Sequence, residues 1–324
     1  MKYVFGPVPS RRLGRSLGVD PVPEKTCDWN CVYCQLGRTT PVTMERREYF
    51  PREEIIAELE TVLAASRPGD IDWITFVGSG EPTLHSGLGW MIRRAKELVR
   101  IPVAVITNGS LLYLEEVRAD LNAADAVLPS LDAATPALYR KLNRPHPEAT
   151  LERLLDGLTT FRKGYAGRLW VEVMLLRGLN DSEAELQALA AALEKIKPDE
   201  IHLSLPTRPP AESWVRPADE EGQLRAAAIL GKSARVLRPA ATSLDLAGFA
   251  EPKRAIVEIT SRHPLSEREI VRGLAKWTEA EVRETLRVLR DEGRVQVVER
   301  YGERFWTSAG AFYPEGPPKD KDAE

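Results

Sequence analysis

Cys27-Asp28-Trp29-Asn30-Cys31-Val32-Tyr33-Cys34 holds every cysteine of a 324-residue chain. Three thiols cannot pair off as disulfides, and bridges between neighbours this close would be strained. Clustered thiolates suit a soft metal or an iron–sulfur cluster, and unpaired cysteines fit a reducing, cytoplasmic compartment. The spacing C-x3-C-x2-C puts three ligands on one short loop. A cubane 4Fe-4S cluster takes four ligands, one per iron. Cys27, Cys31 and Cys34 would fill three corners and leave one iron open, as catalytic zinc keeps one position open. The rival is a zinc knot of three cysteines and a histidine, but His85, His146, His202 and His263 are distant in sequence and none has finger-like spacing.

Outward from this loop the chain alternates strand and helix. Residues 5–25, rich in Gly, Pro and Arg, read as an extended entry segment with a first strand at 16–20. Short β-like runs follow at 73–77, 103–107, 126–132, 169–175 and 200–205. Helical spacing is seen at 51–65, 88–99, 111–121, 136–142, 150–162 and 218–230, and a Ser182…Glu185 capping box opens another helix. Pro129 weakens its strand, because proline donates nothing to a ladder. Six β/α repeats with short turns predict parallel strands with crossover helices. The fold class is α/β; a partial (β/α)6 TIM-like barrel and a doubly wound sheet both satisfy the pattern.

The alternation breaks at 236–252, read as a linker between a barrel of residues 1–235 and a different unit at 253–310. That unit has a short helix from 255, capping boxes Ser266…Glu269 and Thr278…Glu281, and a β-hairpin turning near Gly302. Three helices and a hairpin resemble a winged-helix domain. Arg283, Arg287 and Arg290 share a helix face, a basic stripe for a nucleic-acid groove or simply a solvated surface. With 12 basic and 10 acidic residues in 253–310 the field is weak. Residues 311–324 are expected to be a disordered tail. Lys and Arg number 45 against 48 Asp and Glu, a net charge of −3 that gives no global pull toward nucleic acid or membrane. No apolar run reaches the ~18 residues of a membrane span, and the first residues lack the apolar core of a signal peptide.

Gly78-Ser79-Gly80-Glu81-Pro82 closes the 73–77 strand. Glycines allow close backbone approach, and a carboxylate beside them accepts hydrogen bonds from an ammonium group. Strand parity places Ser130 and Asp132, Glu172, and His202 and Ser204 on the lumen side of a barrel. Thr107 and Asn108 lie at a strand's carboxyl end, where α/β folds bind ligands. Each of these is equally readable as a satisfied internal polar residue.

Together the cysteine spacing with Tyr33 before its last cysteine, and the Gly-rich segment with Glu81, resemble the radical S-adenosylmethionine (SAM) superfamily. The resemblance implies a 4Fe-4S cluster on Cys27, Cys31 and Cys34, and SAM contacts from Gly78, Gly80, Glu81, Asn108, Ser130 and Asp132. The superfamily's Gly-Gly-Glu-Pro segment meets the SAM amino group; Ser79 replaces one glycine here. The implied reaction passes one electron from the reduced cluster to the sulfonium, yielding methionine and a 5′-deoxyadenosyl radical that abstracts hydrogen from a substrate. An electron donor such as a flavodoxin or ferredoxin is implied as partner.

Phe5-Gly6-Pro7-Val8-Pro9-Ser10-Arg11-Arg12, Gly14-Arg15-Ser16-Leu17-Gly18 and Leu142-Asn143-Arg144-Pro145 resemble the branch containing the wyosine-tRNA imidazoline-forming synthase. That synthase uses further cysteines for a second cluster, and this chain has none. The pyruvate-condensing reaction is therefore not expected; the substrate is left open, with RNA and a peptide or protein as its candidates. Arg11, Arg12, Arg15 and Arg144 could hold a substrate phosphate or carboxylate, or pair with nearby acids. Two readings from other classes stand beside the enzyme: a metal-stabilised nucleic-acid or protein binding module, and an electron-transfer protein.

Overall fold

The computed structural model describes residues 2–237, 246 and 249–316. An antiparallel hairpin, β1 (Val4–Ser10) and β2 (Gly14–Val19), opens the chain. From β2 the sheet continues in parallel through β3 (Trp73–Phe76), β4 (Val103–Thr107), β5 (Ala126–Pro129), β6 (Arg168–Met174), β7 (Glu200–Ser204) and β8 (Ala234–Val236). The strand order is simply β1 to β8, an open, mostly parallel sheet consistent with a partial barrel. Helices α1 (Arg52–Ala65), α2 (Leu88–Leu98), α3 (Glu115–Leu121), α4 (Pro136–Asn143), α5 (Leu151–Gly164), α6 (Glu183–Ile196) and α7 (Glu220–Leu230) lie between the strands.

Side-chain alternation gives the sheet two dissimilar faces. Leu17, Val19, Ile74, Phe76, Val103, Val105, Val127, Val171, Val173, Ile201 and Leu203 join the helices in the main core. The intervening residues Ala104, Ala126, Leu128 and Trp170 form a separate inner cluster, filled by Leu13 from the β1–β2 turn. Trp73 and Trp170 meet at 5.9 Å there. The lumen is thus packed at the amino end of the strands, and its polar residues lie further along them.

The entry segment is a strand, β1. Its prolines, Pro7 and Pro9, conceal it, yet they are tolerated because β1 is an edge. β8 has only three residues with Arg235 at its centre, so it carries no apolar signal. β5 stops at Pro129, and only an isolated bridge, Ser130 with Glu172, continues the pairing. The stretch before α3 is tighter than an α-helix: Leu112 and Leu114 donate to Gly109 and Leu111, three residues back. Ser182 caps α6, accepting from the Glu185 amide, but the reciprocal bond is missing because the Glu185 carboxylate takes the Thr135 hydroxyl.

The C-terminal unit comprises α8 (Pro252–Thr260), β9 (Leu265–Ser266), α9 (Glu267–Gly273), α10 (Glu279–Asp291), β10 (Val295–Arg300) and β11 (Glu303–Ser308), with an antiparallel sheet in the order β10-β11-β9. Both capping boxes are closed. Ile256, Ile259, Ile270, Val282, Leu286, Leu289 and Trp306 form its own core, against which Val8 of β1 packs. Most of the expected linker lies outside the described residues. The expected disordered tail is corrected for residues 311–316. The Arg38 amide donates to the Phe312 carbonyl at 2.8 Å, Tyr313 Oη donates to the Gln35 carbonyl, and Ser213 Oγ donates to the Gly316 carbonyl at 2.9 Å. These bonds give the segment the partners that its Pro- and charge-rich composition did not reveal. Residues 317–324 of that tail lie outside the described residues.

Candidate active site

The cysteine loop follows β2 across the carboxyl end of the sheet, and its neighbours are the ends of other strands. The Lys25 amide donates to the Ser79 carbonyl and the Glu81 amide to Thr26, both at 2.8 Å. Glycine is required for this approach: a Cβ on Gly80 would lie 2.0 Å from the Thr26 oxygen, and one on Gly78 would lie 1.9 Å from Asp20 Oδ1. Ser79, the departure from Gly-Gly-Glu-Pro, donates its hydroxyl to Asp20 Oδ2 at 2.8 Å. Arg262 of the C-terminal unit reaches the same oxygen at 3.1 Å.

Three of the expected cofactor contacts, Glu81, Asn108 and Asp132, are hydrogen-bonded inside the protein. Glu81 is 2% exposed. Its Oε1 accepts from the Thr83 amide and hydroxyl and from the Thr107 hydroxyl, and its Oε2 accepts from the Asn108 amide at 2.7 Å. Burial, then the nearby Asp28 charge, pushes the Glu81 carboxyl up to about 7 against these bonds. Asp132 accepts from Tyr33 Oη, from Asn143 Nδ2 at 2.8 Å and from the Met174 amide at 2.8 Å. It therefore ties the cysteine loop to α4 and β6. Asn108 joins Glu81 to Asp28, donating to Asp28 Oδ1 at 2.6 Å. Among the described residues the Ser130 hydroxyl has no protein partner, and it stands half-buried at the end of β5.

Each sulfur is met by a nitrogen donor. The Trp29 amide lies 3.4 Å from Cys27 Sγ and Asn108 Nδ2 lies 3.9 Å from it. Asn143 Nδ2 is 3.7 Å from Cys31 Sγ, and Lys25 Nζ is 3.2 Å from Cys34 Sγ. Glu212, 1% exposed, holds the loop's far side. Its carboxylate takes Arg38 Nε at 2.6 Å and Arg144 Nη1 at 2.5 Å, while its amide donates to the Val32 carbonyl at 3.0 Å. Lys25, Asp28, Asn143 and Glu212 were not singled out by sequence reasoning as site residues. Asp28, inside the quoted cysteine stretch, and Asn143, in the quoted Leu142-Asn143-Arg144-Pro145 stretch, left a usable signal.

The four arginines part company. Arg15 pairs with Asp72 on the surface at 2.9 Å, and Arg144 with Glu212. Arg12 enters the lumen and meets Glu172 at 2.7 Å. Arg11 has no partner among the described residues. The Arg283, Arg287 and Arg290 stripe is neutralised by Glu267 and Glu279, by Glu284, and by Asp291 respectively.

The sequence profile of the radical SAM superfamily matches residues 23–211. The chain is also 34% identical over 310 residues to the UPF0026 protein MJ1312 of Methanocaldococcus jannaschii, covering 94% of this chain and 96% of that one. The chain belongs to the radical SAM superfamily. A GTPase Obg of Brachyspira hyodysenteriae is 44% identical over 220 residues, 68% of this chain, and the match spans only 32% of that relative's length. Among solved structures, TYW1 with a lysine-pyruvate adduct bound aligns with a TM-score of 0.51 at 19% identity, covering 67% of this chain and 72% of that one, a likeness of fold.

The donor set fits the 4Fe-4S cluster typical of radical SAM proteins. Burial, then Asp28, Glu81 and Cys31, pushes the Cys27 thiol up; burial, then Cys34 and Asp132, does the same to Cys31. Cys27 and Cys31 thus sit where burial resists ionisation, each within electrostatic reach of a neighbouring thiol, and a bound cation would reverse that. The three carboxylates nearest them are already hydrogen-bonded inside the protein: Glu81 and Asp132 as above, and Asp28 to Asn108 and Ser110. None is left to complete a fourth corner. Among the described residues no three His, Cys, Asp or Glu side chains converge as a single metal ion requires. No helix among them is long and apolar enough to cross a membrane.

Proposed function

We propose that this radical SAM protein is an enzyme that cleaves SAM reductively and abstracts hydrogen from a substrate, with Cys27, Cys31 and Cys34 as the cluster ligands. The observation that carries the reading is the trio of thiols on one loop, each with a nitrogen donor, beside carboxylates that are all otherwise engaged. Such a cluster supplies the electron for SAM cleavage. Lys25, Asn108 and Asn143 would stabilise thiolate charge and orient the sulfurs. Asp132 and Glu212 hold the loop in register with β6 and α4. The Gly78 and Gly80 backbone and the Ser130 hydroxyl are the groups offered to SAM. Glu81, Asn108 and Asp132 act behind them by fixing strand ends, and burial of the site excludes water.

The reading includes a flavodoxin or ferredoxin as electron donor and a winged-helix-like fold for residues 253–310, beside a barrel of 1–235. Two separately assembled hydrophobic cores support that division. The substrate class in this reading is RNA or a protein; Arg283, Arg287 and Arg290 each meet an acidic side chain, while exposed Arg268, Arg272, Arg294 and Arg304 have no acidic partner among the described residues. The test is Cys31→Ala, purified without oxygen and assayed under reduction. Wild type should contain iron and sulfide and form 5′-deoxyadenosine, and the variant should form none. Persistent 5′-deoxyadenosine in the variant, or one equivalent of zinc without iron in wild type, would overturn the reading.

A further inference from the structure

Buried polar atoms nearly always find a partner in the protein, in ordered water or in a ligand. Four on neighbouring inner positions make no hydrogen bond in the protein, and one of them, Glu172 Oε1, is an acceptor that meets Arg12 as an ion pair. His202 is 4% exposed; its Nε2 meets Glu200 at 3.0 Å, but its Nδ1 is buried and unpartnered. Ser204, 2% exposed, has an unpartnered hydroxyl, and so has the Nε of Arg12. They are contiguous: His202 and Ser204 share a face of β7, His202 is in register with Glu172, and Glu172 holds Arg12. Two residues along β6 from Glu172, the Met174 amide bonds Asp132, which holds Tyr33 of the cysteine loop.

The charges around these atoms do not balance. Arg12 is matched by Glu172, Arg208 by Glu269 at 2.5 Å, and Glu200 by Arg235 at 3.1 Å. Half-buried Arg11 is left over, close enough to Arg12, Glu172 and Arg208 for each charge to act on it. Its pKa is lowered, first by burial and then by Arg12. Water can satisfy an orphaned hydroxyl or imidazole, but a partly desolvated guanidinium is stabilised far more by an anion. His263 of the C-terminal unit lies near Arg208 on this side and has a buried, unpartnered Nε2. In the cleft of about 700 Å³ at the amino end of the strands, Asp125, Arg162 and Asp199 are paired, and Arg168 lies over the Trp170 ring.

We propose that the barrel lumen binds an anionic group of the substrate, a carboxylate or a phosphate, through Arg11 and Arg12 with His202 and Ser204 completing its hydrogen bonds. This rests on the radical SAM reading, whose substrate class it names. Arginine suits both anions because its planar fork meets two oxygens at once.

The test uses full-length protein purified without oxygen, with iron and sulfide measured first. Inorganic phosphate and acetate are titrated separately by calorimetry, without SAM or reductant. Saturable binding of phosphate alone assigns a phosphate-bearing substrate, and of acetate alone a carboxylate. Arg11→Gln, which removes no contact seen in the structure and so should fold, is expected to weaken the bound anion about tenfold or more. Arg11→Lys, retaining the charge, should lie between the two. Arg15→Gln, at the surface, should match wild type. No saturable binding of either anion, an unchanged Arg11→Gln variant, or displacement of the anion by SAM, which would make Arg11 a SAM ligand, overturns the proposal. Because binding is read without SAM cleavage, the two readings can fail separately.

Discussion

Glu212→Gln tests whether the charged clamp holds the cysteine loop. The glutamate is buried, while the Arg38 and Arg144 side chains keep only 21% and 18% of their exposure. Removing one partner of a buried pair costs about 3–5 kcal/mol, chiefly because the remaining charge stays buried. Two guanidiniums that keep a fifth of their exposure place this case near the lower end, about 3 kcal/mol. At 1.4 kcal/mol per factor of ten, the loop should open roughly 100-fold more often. Hydrogen exchange read by mass spectrometry reports this directly. Val32, Gly37 and Arg38 donate to Leu142, Cys34 and Phe312, so their amides should exchange about 100-fold faster. Those of α6 should not change. The acid dependence has a definite sign. Burial alone would raise the Glu212 pKa, but hydrogen bonding to Arg38 and the charge of Arg144 outweigh it and hold the carboxyl below its ordinary value. The stabilisation is therefore complete at neutral pH and is lost only as pH falls through that depressed value, where wild type and variant should converge. Exchange in the variant within about threefold of wild type at neutral pH would show that the clamp does not stabilise the loop.

Other expectations concern the same neighbourhood. Tyr33→Phe removes the hydroxyl donor to Asp132 and should cost about 1–3 kcal/mol, seen as a lower denaturant midpoint with unchanged m; an unchanged midpoint would mean that the bond does not hold the loop. Gly37 has φ +78° and a Cβ there would lie 2.5 Å from the Phe312 oxygen, whereas Gly69, φ +89°, has nothing within 4 Å. Gly37→Ala should therefore expose residues near 312 to limited proteolysis while Gly69→Ala does not; equal cleavage would discount the contact. Burial, then Arg208 and Arg262, pushes the His263 imidazole down to about 4. The unfolded chain binds the extra proton between pH ~6.5 and ~4, so stability is full above that window and falls by about 3 kcal/mol through it. His263→Gln should flatten that loss in denaturation at pH 7 and 4.5, and parallel wild-type and variant slopes would count against the assignment.

Regular elements were legible where one periodicity dominated. β4 stands at 103–107 as its Val-Ala-Val-Ile-Thr run suggests, and the parity of Val171, Glu172 and Val173 separates helix face from lumen. The three cysteines were legible as a group because three identical, chemically demanding residues share one loop. Glu81 and Asp132 were legible as candidates, but their hydrogen bonds were not, since sequence shows a carboxylate and not how many internal donors surround it. Glu212 was invisible because its arginine partners lie 174 and 68 residues away. The same long-range contact explains why residues 311–316 looked like a tail.

Tyr313 and Gln35 meet across 278 residues, and Gln35 Nε2 reaches the Arg262 carbonyl across 227. Contacts so remote are slow to form, because a long intervening chain must be gathered before they repay its lost entropy. The β/α units can therefore assemble while the cysteine segment still lacks its final shape. The segment at Gln35, next to Cys34, takes its final shape only when the C-terminal unit arrives.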